Sequence, residues 1–199
     1  GMRKGQETRE RVVAQAAALF NVSGYAGTAI SDIMAATGLE KGGIYRHFES
    51  KEQLALAAFD YAAEKVRERF AVGLAGHKHT VDTIIAFLDV FRSYAERPPL
   101  VGGCPILNTA IESDDTNPML RERVRAVIDE WRETIRTLVQ TGIARGEIRP
   151  EVDADRLALL IIATMEGAVM LARILETATP LEHAYTHLAT YITQQVRLA

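Results

Sequence analysis

At 199 residues, 48% of them apolar and 25% charged, the chain has the composition of a globular protein, either one large domain or a small domain joined to a medium one. Its net charge of −3 excludes the coating of nucleic acid by bulk charge. A single cysteine, Cys104, excludes an internal disulfide and fits a reducing compartment. The charged N-terminus lacks the apolar segment of a secretory signal, and Gly1 ahead of Met2 reads as a cloning remnant, so a cytoplasmic location is expected.

Helical spacing dominates from end to end, with no run alternating cleanly enough for a strand. Val12, Ala16, Leu19 and Phe20 form one stripe of a helix from about Gln6 to Val22, broken by Gly24 and Gly27. Thr28 suits the N-cap of a helix over Ala29–Thr37, and Gly38 supplies its turn. A third short helix is expected over Lys41–Phe48. Ser50 and Gln53 form a capping box for a long helix toward Phe70.

Further helices fit Val81–Ala95, stopped by Arg97-Pro98-Pro99, and Pro105–Glu112. Another runs from Pro118 through Leu120, Val124, Val127, Trp131, Ile135 and Leu138 to Gly142. Asp153 can cap an apolar helix reaching about Glu176, and Thr179-Pro180-Leu181-Glu182 combines capping box and first-position proline for a last helix to about Val196. The expected fold class is all-α. A three-helix helix-turn-helix domain over residues 6–50 would join a six-helix ligand-binding and dimerisation domain over residues 51–199.

The segment TAISDIMAATGLEKGGIYRHFESK, Thr28–Lys51, carries the chemistry. Ile33, Leu39 and Ile44 are spaced so that two helices and their turn share one apolar contact, and Gly38 permits a positive φ at the reversal. The second helix presents Lys41, Tyr45, Arg46 and His47 with little that is apolar on its outer side, as a helix entering a DNA major groove requires. Gly42 and Gly43 allow backbone to approach closely near the helix N-terminus, where free N–H groups favour phosphate. Arg46 can pair with phosphate or read guanine, and Lys51, a cation in the first turn of its helix, is accounted for by a nearby phosphate. Residues 1–51 hold seven cations and five acids, a local +2 that leaves −5 for the remainder.

Over roughly Thr8–Leu56 these residues resemble the TetR family of transcriptional regulators, and the nine-helix plan agrees. The resemblance implies that Thr28, Tyr45, His47 and Lys51 grip phosphates, and that Ser31, Lys41, Gly42, Gly43 and Arg46 face the groove. Met34 stands where the family commonly has a small residue, and Gly43 where threonine is frequent. The first bears on helix packing and the second on the number of base contacts.

Leu157–Ala172 is apolar on every side, but its sixteen residues fall short of the ~20 of a membrane span and include Glu166. With the half-apolar last helix it suits a symmetric four-helix dimer interface, formed by Leu157, Leu160, Ile161, Thr164, Ala168, Leu171, Leu188, Tyr191 and Ile192. Phe87, Phe91, Leu107, Asn108, Ile111, Trp131, Met165 and Glu166 are expected to line a small-molecule cavity, apolar with few polar anchors, although core packing alone also accounts for the apolar members. His77 and His79 lack the companions of a metal site, and no phosphate loop or nucleophile–base pair is visible, so neither a metal, a cofactor nor an enzyme is expected.

The expected function is a homodimeric, ligand-responsive regulator, a repressor that binds a palindromic DNA operator and is released by a small apolar or amphipathic effector. The alternative is a helical small-molecule-binding or interaction protein without specific DNA binding, which the low net charge and Gly43 would allow.

Overall fold

The computed structural model describes residues 1–198, which form nine α-helices and no named strand. They divide into two compact units: residues 1–66 with 99–125, and residues 67–98 with 126 onward.

The first unit opens with α1, Met2–Ser23. It starts earlier than its apolar stripe suggests, because i,i+4 pairs Arg3–Glu7 and Gln6–Glu10 and the Thr8 hydroxyl, which donates to the Lys4 carbonyl, support extra turns. Next comes α2, Ile30–Thr37, ended by Gly38 at φ 71°, whose N–H donates to the Met34 carbonyl at 2.8 Å. The cap expected at Thr28 falls one residue later. Ala29 holds that position, and its N–H donates to the Asp32 carboxylate at 2.7 Å.

The helix α3, Lys41–Tyr45, is shorter than expected, since Arg46 and His47 form a turn before Phe48. The long α4, Lys51–Leu74, begins where Ser50 accepts the Gln53 N–H at 3.1 Å, and its residues up to Val66 belong to this unit. Val12, Val13, Ala16, Ala17, Ile33, Ile44, Phe48, Leu54 and Ala58 form one buried cluster of α1 to α4. The unit is completed by α6, Pro105–Ser113, and by the first turns of α7, Pro118–Ala144.

The second unit holds the end of α4, α5 (Thr80–Arg92), the remainder of α7, α8 (Ala154–Leu175) and α9 (Thr179–Tyr191). Phe70, Phe87, Phe91 and Trp131 form its aromatic centre, with ring centroids of 4.6 Å for Phe70–Phe87 and 5.3 Å for Phe91–Trp131. Gly73 lets α4 approach α5, because a Cβ there would sit 2.5 Å from Val90 Cγ2. Gly142, expected to end its helix, lies inside it and gives the same close approach to Thr80 and Ile148.

Asp153 caps α8 through the Arg156 N–H at 3.0 Å, as its position suggests. The start of α9 differs from expectation. Ala178 takes the cap position with no side-chain bond, and the Thr177 and Thr179 hydroxyls bond each other at 3.0 Å. By length and composition α8 could cross a membrane, and half of its most apolar stretch is buried within the chain.

Phe87 is fully buried among three other aromatic rings. Phe87→Ala should therefore cost about 3–5 kcal/mol of stability, read as a lower urea midpoint at unchanged slope.

Candidate nucleic-acid interface

The reading surface is built on the apolar contact between α2 and α3. Ile33 and Ile44 are completely buried, and Leu39 packs half-buried against the same cluster. Burying each isoleucine contributes on the order of 1.5–3 kcal/mol. With Ile44 turned inward, Lys41, Gly42, Tyr45 and Arg46 are left exposed, as is Ser31 on α2. Gly43 is half-buried, with its missing Cβ position 3.6 Å from Leu39, and His47 is also half-buried.

Aromatic faces hold several of the cations. Lys41 Nζ lies 5.9 Å from the Tyr45 ring centre, Lys51 Nζ 4.4 Å from that of Tyr25, and the Arg9 guanidinium 4.8 Å from that of Phe48. Tyr25 in turn packs on Phe20. Burial first, and the neighbouring Glu52 carboxylate second, hold the Tyr25 phenol above its ordinary pKa, so it remains a neutral ring for Lys51. Neither Tyr25 nor Arg9 stands out in the sequence. Their part follows from the packing of α1 and its following loop.

Thr28 sits inward. It is 1% exposed, and its hydroxyl donates to the Gly24 carbonyl at 2.7 Å, so in this structure it braces the α1–α2 loop instead of offering a donor outward. The same loop is held from α6, where Glu112 Oε1 accepts the Ala26 N–H at 3.0 Å. Asn21 at the end of α1 donates to the carbonyls of Val101 and Gly103, and Asn108 Nδ2 donates to Asn21 Oδ1 at 3.0 Å. Gly102 is required here, since a Cβ would lie 2.8 Å from the Asn21 carbonyl oxygen.

The residues expected to line a ligand cavity separate into the two units. Phe87, Phe91, Trp131, Met165 and Glu166 are buried in the second. Leu107, Asn108 and Ile111 lie in the first, where Asn108 is committed to Asn21 and Ile111 is 71% exposed. The residues expected at a dimer interface also divide. Leu157, Ile161, Ala168, Leu188 and Ile192 are buried in the chain's own core, and Thr164 is half-buried. Leu160, Leu171 and Tyr191 remain exposed, joined by Leu159, Met170, Ile174 and Leu175. A helix apolar all round does not reveal by spacing which side its own chain covers.

A short glycine-ended helix, a second helix clasped to it, and cations on the uncovered side define a helix-turn-helix DNA-binding transcriptional regulator. Residues 12–58 match the family described as bacterial regulatory proteins, tetR family, and residues 80–188 match the tetracyclin repressor-like C-terminal domain. The chain is 32% identical over 190 residues to an uncharacterized HTH-type transcriptional regulator of Mycobacterium tuberculosis, covering 92% of this chain and 93% of the relative. It is 29% identical over 179 residues to the HTH-type transcriptional regulator LmrA of Bacillus subtilis, covering 89% and 92%. The crystal structure of a TetR-family transcriptional regulator from Cytophaga hutchinsonii superposes with a TM-score of 0.89 at 33% identity, over 98% of each chain. The chain belongs to the TetR family.

If Arg46 and Lys51 each contact a phosphate, Arg46→Ala and Lys51→Ala should each flatten the slope of log binding constant against log salt by about one. Filter binding at four salt concentrations reads that slope, and an unchanged slope removes the residue from the interface.

Proposed function

We propose that the protein is a cytoplasmic, ligand-responsive repressor that binds a palindromic operator as a homodimer and is released by a small apolar or amphipathic effector. The observation that carries the dimer is the uncovered side of α8. Leu159, Leu160, Met170, Leu171, Ile174 and Leu175 are all exposed, Ile174 at 76%, and Tyr191 at the end of α9 is exposed as well. An apolar face of this extent marks an interface. A second copy suits it, because a two-fold axis lets one helix face cover itself. With that face covered by protein, α8 is a core helix of the dimer, and a membrane has no part in it.

A two-fold dimer carries two reading helices, and such pairs engage half-sites about 34–36 Å apart, so the operator has the symmetry of the protein. We take residues 6–50 as the reading domain and 51–199 as the sensing and dimerising one. Lys41, Gly42, Tyr45, Arg46 and Lys51 supply the phosphate grip, and Arg46 and Ser31 the base contacts. An effector held by apolar residues of the larger domain, Phe87, Phe91, Trp131 and Met165 among them, acts by favouring a state in which the heads no longer span both half-sites. The helix α4 is the coupling element, because it starts at Lys51 in the first unit and ends at Leu74 in the second.

Selection from random duplex DNA at two salt concentrations should enrich a palindrome, with binding that weakens steeply as salt rises. Flat binding with no enriched motif would instead indicate a helical ligand-binding protein. Ile174→Asp, at an exposed position, should leave the chain folded but shift sedimentation from dimer to monomer and abolish binding to the two-half-site duplex. A dimer that persists in this variant overturns the interface.

A further inference from the structure

We propose that the first compact unit has a cation site of its own, taking the head of a primary alkylammonium, in a cavity between α1, α4 and α6. The cavity has a volume of about 30 Å³ and is partly open to solvent. Its lining is apolar and aromatic, including Phe20, Tyr25 and Phe59, with the neutral polar groups Asn21 and Thr109 and a single charged residue, Glu112. No lysine, arginine or histidine lines it.

Glu112 is half-buried and uses Oε1 to accept the Ala26 N–H at 3.0 Å. A glutamine at this position would hold Ala26 through its amide oxygen equally well, so the loop contact alone does not account for a charge there. A carboxylate drawn partly out of water beside an apolar wall gains from a cation brought to it. Three aromatic side chains belong to the lining, and the face of such a ring attracts cations. Tyr25 shows this within the protein, carrying Lys51 Nζ at 4.4 Å from its ring centre.

Size sets the rest of the ligand. A water centre needs about 10–15 Å³ of such volume. The cavity therefore admits an ammonium group and its first carbon or two, while a longer alkyl tail leaves through the opening. Ammonium can donate to Glu112 and to the Thr109 hydroxyl, and its methylene contacts the rings. Because the carboxylate that takes the cation is the one that holds Ala26, occupancy is reported at the α1–α2 loop, beside Tyr25 and Lys51. The site lies wholly within the first unit and uses none of Phe87, Phe91, Trp131 and Met165, the residues proposed to hold the effector.

The test uses the full chain and propylammonium chloride, with amide chemical shifts as the readout. Saturable shifts at Gly24, Tyr25 and Ala26, absent with sodium chloride and with propanol, are expected. Glu112→Gln keeps the Ala26 acceptor and should weaken binding about tenfold or more. Thr109→Leu keeps the carboxylate but fills the cavity, and should abolish the shifts. Shifts that never saturate, that sodium chloride reproduces, or that survive both substitutions would overturn the site.

Discussion

Everything that the reading surface does depends on one buried contact, the side chain of Ile44 in the cluster formed by Ile33, Val12, Val13, Ala16 and Leu54. The helix α3 has five residues, far fewer than a helix needs to persist alone in water. Its position is therefore tertiary in origin. Burial of Ile44 decides which side faces in, and Lys41, Tyr45 and Arg46 face out as a consequence. Gly38, at φ 71°, lets the chain reverse between the two helices so that Ile33 and Ile44 can share one core.

Around this clasp the α1–α2 loop is held by a set of polar contacts that arrive from distant sequence. Asn21, Asn108 and the turn at Gly102-Gly103 fix the end of α1, and Glu112 fixes Ala26. Tyr25, on the same loop, seats Lys51. The loop thus ties the start of α4, which carries Lys51, to α6. A DNA-binding regulator of net charge −3 cannot rely on overall charge, which gives local order around its cations its weight.

The helix-turn-helix was readable in the sequence because its signals are local: a glycine at the reversal, apolar residues at fixed intervals, and cations between them. The Ser50 and Asp153 caps were readable for the same reason. Where two neighbouring residues compete for one role, sequence was a poorer guide. Thr28 has the better capping side chain, yet its hydroxyl is drawn to the Gly24 carbonyl and the cap moves to Ala29. The faces of α8 were not readable, since apolar residues lie all round it, and buried Leu157 and Ile161 look no different in sequence from exposed Leu160 and Ile174. Ile111, apolar at a helical interval, stands in solvent for a reason that no local pattern carries.

The most direct test of the central claim is to loosen the clasp slightly and follow α3 and DNA together. Ile44→Val removes one methylene from the cluster, at a cost of about 0.5–1.5 kcal/mol. Protection of the α3 amides from hydrogen exchange and affinity for a selected duplex should then fall by similar factors, about two- to tenfold, while Phe87 and its neighbours keep their protection. Loss of α3 protection with DNA affinity unchanged would contradict the account, because the reading helix would then owe its orientation to something other than Ile44.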